Sequence, residues 1–371
     1  MPLPRSRALT VVLSVSTSTA VLSACSTGAT GASGAFSASG LKEATAYVAK
    51  YRTDVTSTDV PASAPPVRKG RLIVTVPCSY AAENCKRGVD AFAEAAKAVG
   101  WKTKMIDPAG DPDKARAAVE TAIRLKADGV FFVAGSGDQL QPALDDARAA
   151  GLALVDVNGG PFKKGQFDTT VEPDAYEYGM VMGAQMTVAT KGKGKILLVN
   201  DPEFPSVKEY HRGVLAALKK YCPGCEITDD ISFQIAGLST SLPTQFQAAL
   251  AAHPETDMVW AAYDAAATAL IPVIQRGTNG DKIQLVSSDG NAANLGYVKD
   301  GKVQTADVAA STEWAAYQAL DETNRILNKQ DVPLSVPSKF KLITKDNLTT
   351  IPWNGDVDWR SAYLKLWGRT G

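Results

Sequence analysis

The chain from residue 71 to residue 157 alternates short apolar runs with longer amphipathic segments. The run Arg-Leu-Ile-Val-Thr-Val at 71–76 is apolar and β-branched, and it predicts a buried strand. In the segment 86–99, apolar side chains such as Val89 and Phe92 recur at helical spacing and predict a helix with one apolar face. The same criteria predict strands at 102–106, 129–133 and 153–157, and helices at 113–126 and 140–150.

The alternation repeats in a second half that begins near residue 175. Strands that alternate with helices of this length indicate βαβ units and parallel sheets covered on both faces. About 300 residues with this pattern favour two lobes over a single core. We therefore predict the α/β class, with two Rossmann-like lobes whose strand ends face each other across a cleft. In this half we predict helices at 175–190, 207–221, 244–252, 265–276, 292–299 and 312–328, and strands at 195–199, 226–233, 257–261, 283–287 and 303–308.

The first 25 residues have the layout of an export signal. Arg5 and Arg7 precede a moderately apolar run at 8–22 that is too short to span a bilayer comfortably. Small residues lead to Cys25, and Leu-Ser-Ala-Cys resembles the lipobox of bacterial lipoproteins, whose cysteine is acylated and becomes the mature N-terminus. We therefore predict a lipoprotein signal peptide over 1–25 and lipidation of Cys25. The alternatives are an ordinary signal peptide with a coincidental cysteine, or a buried strand.

A tether and linker are expected over 26–69. Residues 26–40 are almost entirely Ser, Gly, Ala and Thr, a composition that does not build a core. A flexible chain of this length spans roughly 20 Å, enough to hold a globular body off a membrane. Residues 41–52 are expected to form a short helix, and 53–68 are rich in Pro, Ser and Thr.

Charge and histidine content exclude several classes of function. The 39 Lys and Arg residues balance 39 Asp and Glu residues without a basic stripe, so no nucleic-acid partner is expected. The two histidines, His211 and His253, lie in no recognisable catalytic motif, and Gly-x-Ser-x-Gly and His-Glu-x-x-His are absent. We expect a binding protein without cofactor or metal, and an exported hydrolase is the enzyme alternative.

Four cysteines remain besides Cys25. An even number in an exported chain predicts two disulfides, and local pairing gives Cys78–Cys85 and Cys222–Cys225. A four-cysteine zinc site is a second interpretation, although the spacing of the first pair is wide for a ligand pair. A redox Cys-x-x-Cys motif is a third, although such motifs open a helix after a strand and this one follows a predicted helix.

The ordered set of motifs resembles the type I periplasmic binding proteins, the sugar-type solute receptors of ABC importers. Individually the motifs are common, but their order over about residues 70–345 is typical of that family. Cytoplasmic repressors share the core but carry an N-terminal helix-turn-helix, where this chain has an export signal. The motifs are Gly88-Val-Asp-Ala-Phe-Ala-Glu-Ala-Ala-Lys with Gly100-Trp, Ala127-Asp-Gly-Val-Phe-Phe-Val, the helix and strand at 141–155, Arg212-Gly213, His253-Pro254 and Ser288-Asp289-Gly290.

The resemblance implies a hinge of three strands that cross between the lobes. It places the crossings near 170–174, 309–312 and 333–338, followed by a last strand at 339–344. The tail 346–371 contains three tryptophans and is expected to pack on the surface of the protein. The protein is expected to be a monomer. The implied N-terminal lobe is 70–173 plus 312–335, and the implied C-terminal lobe is 174–311 plus 336–345.

Two site positions of sugar-binding relatives carry different residues here. Relatives have an Asn and two stacking Phe in the loop after the first strand, where this chain has Ser79, Ala81 and Ala82. Relatives often have Asp-Arg after the fourth strand, where this chain has Asn158 and Gly159. The aromatic pair and the planar charged donor that suit sugar rings and hydroxyls are therefore missing.

Three further positions can be matched. The arginine three residues before the helix glycine is Tyr210 here, and the Asn-Asp pair after the next strand is Tyr263-Asp264. The aspartate of the Phe-Asp-Gly turn is retained as Asp289. These replacements predict a neutral ligand with fewer hydroxyls, or a sugar-like ligand held in an unusual way.

Nine residues are predicted to contact the ligand. Several have an ordinary structural alternative: Asp138, Asp264 and Asp289 can each cap a helix, and Asn158 can serve a turn. Tyr210 can be a core residue. The nine are Ser79, Tyr80, Asp138, Asn158, Phe204, Tyr210, Tyr263, Asp264 and Asp289.

The resemblance implies capture of a small molecule between the lobes and delivery to an ABC permease. We expect the protein outside the cytoplasm, anchored to the cell membrane as a lipoprotein. A ligand-sensing lipoprotein that feeds a membrane signalling receptor would use the same pocket and hinge, so it remains the alternative function.

Overall fold

The computed structural model describes residues 37–369. The predicted signal peptide and the predicted lipidation site Cys25 lie outside the described residues. Within 37–369, no helix is long and apolar enough to cross a membrane.

Strands and helices alternate along most of the described chain, as the sequence pattern predicts. The strands are β1 Leu72–Pro77, β2 Lys102–Met105, β3 Gly129–Val133, β4 Ala153–Val157, β5 Thr169–Glu172, β6 Lys195–Asn200, β7 Glu226–Ser232, β8 Met258–Ala261, β9 Gln284–Ser288, β10 Gln304–Ala310, β11 Ser335–Pro337 and β12 Phe340–Thr344. The helices are α1 Ala38–Ala49, α2 Glu83–Ala98, α3 Pro112–Arg124, α4 Gly137–Ala149, α5 Ala175–Ala189, α6 Pro205–Tyr221, α7 Ser241–Ala252, α8 Asp264–Arg276, α9 Ala292–Asp300, α10 Thr312–Leu327 and α11 Trp359–Leu366.

The strands form two six-stranded sheets. The first has the order β11-β5-β4-β3-β1-β2, and its hydrogen-bonded pairs are all parallel. The second has the order β12-β10-β9-β8-β6-β7, in which β12 alone runs antiparallel to its neighbour. We call the first sheet with α2, α3, α4 and α10 the first lobe, and the second sheet with α5 to α9 the second lobe. The predicted fold class is confirmed.

Each sheet is buried on both faces, which explains why its central strands are almost continuously apolar. All five residues of β3 and of β4 are buried, as are all four of β8. In the first lobe, Phe92 of α2 stacks on Phe131 of β3 with ring centroids 4.1 Å apart. The two cores are therefore built from the strand runs and helix faces that the periodicity predicts.

The chain passes between the sheets three times. It leaves β5 in the first lobe and enters α5 in the second, and it leaves β10 in the second lobe and enters α10 in the first. It then leaves β11 in the first lobe and ends in β12 of the second. The short strands β5 and β11 pair with each other beside these crossings.

Both predicted disulfides are present. Cys78 is bonded to Cys85 in the loop between β1 and α2, and Cys222 is bonded to Cys225 between α6 and β7. Because all four sulfurs are bonded in pairs, they are not ligands of a four-cysteine zinc site. Cys222 lies at the end of α6 and not at the start of a helix, where redox Cys-x-x-Cys motifs are found.

The segments outside the two sheets pack against the lobes. The buried ammonium of Lys341 in β12 binds Asp54 of the N-terminal segment at 2.5 Å and Asp356 of the tail at 3.1 Å. The indoles of Trp353, Trp359 and Trp367 are all buried, with 6% or less of each residue exposed. The ends of the described chain thus cover apolar surface of both lobes.

Candidate ligand-binding cleft

A cavity lies between the lobes at the carboxyl ends of the strands, the place where open parallel sheets bind ligands. Loops after β1, β3 and β4 supply its first-lobe wall, and residues after β6, β7, β8 and β9 supply its second-lobe wall. The cavity measures about 50 Å³. It is lined by Cys78, Ala82, Asn84, Cys85, Ala134, Asn158, Phe204, Ser206, Val207, Tyr210, Ile235, Tyr263, Ala265 and Asp289.

Five of the nine predicted ligand residues line this one cavity: Asn158, Phe204, Tyr210, Tyr263 and Asp289. They come from different loops and helices, and the first and last of them, Asn158 and Asp289, are 131 positions apart in the sequence. The structure brings them together because each follows the carboxyl end of a strand.

The other four predicted residues lie elsewhere. Asp138 lies in the first turn of α4, where its exposed carboxylate binds Lys163 at 2.9 Å. Tyr80 is part-exposed, and its hydroxyl donates to Asp90 at 3.1 Å. Ser79 is buried, and its carbonyl accepts from the backbone N–H of Ala82 at 3.0 Å.

Asp264 has a structural role. Its carboxylate is fully buried and accepts hydrogen bonds from the hydroxyl of Ser287 and from the backbone N–H of Asn291, the latter at 2.8 Å. Burial, and then the charge of Asp307, raise the pKa of Asp264 well above its usual range. Asp264 thus fastens the start of α8 to the loop after β9, beneath the cleft.

Asp289 has an unusual backbone. Its φ angle of 121° lies in a region that side-chain-bearing residues rarely adopt. Its Oδ1 accepts a hydrogen bond from Nδ2 of Asn84, which lies 3.2 Å away across the cleft. Burial and then the Asp264 carboxylate raise the pKa of Asp289, while the Arg87 guanidinium lowers it. Strained residues held by the surrounding structure are common at ligand sites.

Tyr263 is oriented by an acid that the sequence analysis did not single out. Its hydroxyl donates to Oδ2 of Asp201, 2.7 Å away in the loop after β6. Burial raises the pKa of Asp201 to about 7, the hydrogen bond from Tyr263 opposes that rise, and Glu203 adds to it. The only signal for Asp201 in the sequence is its place directly after a predicted strand.

A chain of amide and hydroxyl groups joins the first lobe to the second. Nδ2 of Asn158 donates to Oγ1 of Thr312 at 3.0 Å, and Thr312 donates to Oδ1 of Asn84 at 2.5 Å. Asn84 then donates to Asp289. Asn158 has a φ angle of 62°, which asparagine tolerates better than most residues.

Asn84 was missed because the sequence places the start of its helix three residues too late. The helix α2 begins at Glu83, and its N-cap residue Ala82 makes no side-chain capping hydrogen bond. Without a Ser, Thr, Asp or Asn at that position, the sequence carries no start signal there. The side chain of Asn84 therefore falls in the first turn of a helix that was predicted to begin at 86.

Aromatic rings dominate the second-lobe wall. The rings of Phe204 and Tyr263 meet edge to face with centroids 6.4 Å apart, and Phe233 lies 5.9 Å from Tyr263. Tyr210 packs against Tyr178, with centroids 5.0 Å apart. Flat apolar faces of this kind suit the carbon skeleton of a small solute.

A second cavity adjoins the first and also measures about 50 Å³. The two share Cys78, Ala134, Phe204 and Ile235 as wall residues. Gly110 of the first lobe lies so close to Ile235 of the second that a Cβ there would approach the Ile235 side chain to 2.8 Å. The two cavities therefore form one cleft, narrowed where the lobes touch.

Residues 73–331 match the model of a family described as periplasmic binding protein domain. Among curated proteins, no significant match is found.

Solved structures share this fold at low sequence identity. An ABC sugar transporter subunit from Rhodobacter sphaeroides has a TM-score of 0.68 and 19% identity, covering 75% of this chain and 99% of that one. A sugar ABC transporter protein from Yersinia enterocolitica has a TM-score of 0.71 and 18% identity, covering 83% and 99%. A 5-methylthioribose transporter solute-binding protein from Thermotoga lettingae, in complex with 5-methylthioribose, has a TM-score of 0.69 and 17% identity, covering 81% and 94%.

Proposed function

This chain belongs to the periplasmic binding protein family, and we propose that it is a lipid-anchored receptor that captures a small solute in the interlobe cleft and delivers it to an ABC import permease. The family consists of binding proteins that act outside the cytoplasm, so the protein is a binding protein and not an enzyme. The proposal has three parts: the ligand site, the lipid anchor at Cys25 and delivery to the permease.

The observation that carries the proposal is the composition of the cleft. Side chains from both lobes converge on one cavity, and they include three aromatic rings, two amides and one carboxylate. Such a mixture of apolar area and a few polar groups is typical of small-molecule sites. The named ligands of several solved relatives are sugars or sugar derivatives, which supports a sugar-like or other small polar solute.

Capture requires the lobes to move apart. The cavity of about 50 Å³ is far smaller than the roughly 300 Å³ or more of typical ligand pockets. Several direct hydrogen bonds hold the lobes together near the cleft. They are Asn84 to Asp289 at 3.2 Å, the backbone N–H of Ala292 to Glu83 at 2.7 Å, and Arg87 to the carbonyl of Gly290 at 3.2 Å and to the side chain of Asn291 at 2.8 Å. A solute would replace the first of these bonds, and the three crossings between the lobes would act as the hinge.

Closure around the solute follows from differential binding. A ligand shifts a conformational equilibrium only as far as it binds one state better than the other. Asn84 and Asn158 on the first lobe and Tyr263 and Asp289 on the second can contact one solute together only when the cleft is closed. The closed form would then be the one that docks on the permease.

Solute capture can be tested by thermal unfolding of the purified protein with sugars, polyols, nucleosides, amines and aromatic acids. A ligand present at about 100 times its Kd stabilises the folded state by about 2.7 kcal/mol, which is readily measured as a rise in Tm. If no solute of the panel raises the Tm, interlobe capture loses its support.

Anchoring and transport need separate tests in cells. Metabolic labelling with a radioactive fatty acid should label the wild-type protein and leave a Cys25→Ala variant unlabelled. Deleting the gene should abolish uptake of the solute that stabilises the protein. Normal uptake in the deletion strain, together with a lost transcriptional response to the solute, would favour the signalling alternative.

A further inference from the structure

The walls of the cleft are negatively charged. Asp289 lines the binding cavity, and Asp111 and Glu203 line the adjoining cavity. Among the residues that line either cavity, none is Lys, Arg or His. An anionic solute would therefore meet carboxylates of its own charge and no cationic partner in these walls.

Arg87, whose positive charge lowers the pKa of Asp289, is already paired with another acid. Arg87 binds the carboxylate of Glu313 through two nitrogens, at 2.8 Å and 2.7 Å, and both side chains are 9% exposed. Its remaining N–H groups donate to the carbonyl of Gly290 and to the side chain of Asn291, among other acceptors. The positive charge of Arg87 is thus balanced by Glu313, and its donors are occupied behind the cleft.

Further acids surround Asp289. Asp264 and Glu83 both raise the pKa of Asp289, which means that their negative charges reach its carboxylate. On the same side of the cleft, Asp201 accepts the hydroxyl hydrogen of Tyr263. The field at the cavity is therefore negative, and a carboxyl group enclosed there stays protonated unless a positive partner lies beside it.

The aromatic wall suits the same partner. Phe204, Tyr210 and Tyr263 line the cavity together with Asp289. The faces of aromatic rings carry negative electrostatic potential and attract ammonium groups, most strongly where water is excluded.

We infer that the ligand of this cleft carries a protonated amine, which pairs with Asp289 beside the rings of Tyr210 and Tyr263. This inference rests on the proposed capture of a solute in the cleft and specifies the chemistry of that solute. It departs from the neutral ligand expected from the sequence. That expectation followed from the missing arginines at the matched positions. The structure adds that the carboxylate of Asp289 has no cationic side chain beside it among the residues that line the cavity.

The test compares amines with alcohols of the same skeleton. The probes are glucosamine with glucose, glucamine with sorbitol, and tyramine with tyrosol. Each is titrated by calorimetry near neutral pH into the wild type and into two variants, Asp289→Asn and Asp138→Asn. The second variant removes the same charge from an exposed acid that lies outside the cleft.

The amine of at least one pair is expected to bind the wild type about tenfold or more tightly than its alcohol, because only the amine supplies a charge to Asp289. Asp289→Asn should reduce the affinity for the amine about tenfold and the affinity for the alcohol less than about threefold. Asp138→Asn should change neither.

Three results would overturn the inference: no pair in which the amine binds more tightly than its alcohol, an equal loss of affinity for both in Asp289→Asn, or no binding by any amine. The wild-type comparison stands even if Asp289→Asn is unstable. If a neutral solute from the thermal screen binds and the amines do not, only the amine inference fails. If no solute in either experiment binds, the proposed capture itself fails.

Discussion

The two walls of the cleft differ in chemistry although they come from similar lobes. The first-lobe wall consists of small residues, the Cys78–Cys85 disulfide and two amides, Asn84 and Asn158. The second-lobe wall carries the aromatic rings and the carboxylate of Asp289. The difference indicates a division of roles: the second lobe supplies apolar area and charge, and the first supplies hydrogen bonds that form on closure.

The division extends beneath the surface. Behind the second-lobe wall lie three fully buried acids, Asp201, Asp264 and Asp307. Behind the first-lobe wall, Asp156 is fully buried and accepts backbone N–H groups of Gly135 and Gly159, each at 2.8 Å. The acids behind the second-lobe wall and the amides of the first-lobe wall can therefore be distinguished by pH and by substitution.

The largest effect is expected from pH. The pKa of Asp201 is about 7 in the folded protein, against roughly 3.9 when unfolded. Between these values the folded state keeps a proton that the unfolded state has released, so the free energy of unfolding falls as pH rises through this window. Asp201 should contribute on the order of 2 kcal/mol to the loss between about pH 5 and about pH 7 in urea unfolding, in addition to Asp307, Glu172 and Glu322, whose pKa values are also raised to about 7 by burial.

The variant Asp201→Asn tests the assignment of that effect. It can still accept the hydroxyl hydrogen of Tyr263 but does not titrate, so its stability should depend less on pH than that of the wild type. Asp138→Asn, whose carboxylate is exposed, should keep the wild-type dependence. A dependence that is the same in all three proteins would show that Asp201 is not its source.

Loss of the disulfides should separate stability from binding. Replacing either cysteine pair by serine should cost about 2 kcal/mol of stability, since both close short loops. Only the Cys78→Ser, Cys85→Ser variant should also weaken ligand binding, because that pair lines the cavity and Cys222–Cys225 does not. Equal ligand affinity in the two double variants, measured by calorimetry, would mean that the Cys78–Cys85 disulfide only stabilises its loop and does not contribute to binding.

Asp289→Ala should weaken binding of the solute at least about tenfold, or roughly 1.4 kcal/mol, without unfolding the protein. The carboxylate is the charged group of the second-lobe wall, so this loss should exceed that of any single amide on the first-lobe wall. Unchanged affinity by calorimetry would remove Asp289 from the site.

Asn84→Ala should weaken binding by about fivefold, near the 1 kcal/mol of a typical hydrogen bond. It also removes one of the bonds that join the lobes, so the unliganded cleft should open more readily, which small-angle X-ray scattering can detect as a larger radius of gyration. A loss as large as that of Asp289→Ala would contradict the division of roles between the walls.

The sequence predicted those parts of the site that are marked by local patterns. Tyr263 and Asp289 directly follow predicted strands, and the carboxyl ends of parallel strands are where ligands bind. Asp264, one residue beyond Tyr263, shares that signal but turns inward to Ser287 and Asn291. Tyr263 lines the cavity and Asp264 does not, because the first turn of a helix directs successive side chains to different sides.

The alternation of strands and helices, the two lobes and the local pairing of the cysteines were all predicted from the sequence. These features depend on the period of the apolar residues within each segment and on cysteines that lie close together in the sequence, so they can be recognised from local sequence. Only the folded structure shows that Asn84 contacts Asp289, that Asp201 binds Tyr263, and that no Lys, Arg or His of residues 37–369 is among the lining residues of the two cavities. These contacts join loops of separate strands and lobes, and their distances arise only when the two sheets have packed and the chain has crossed between them.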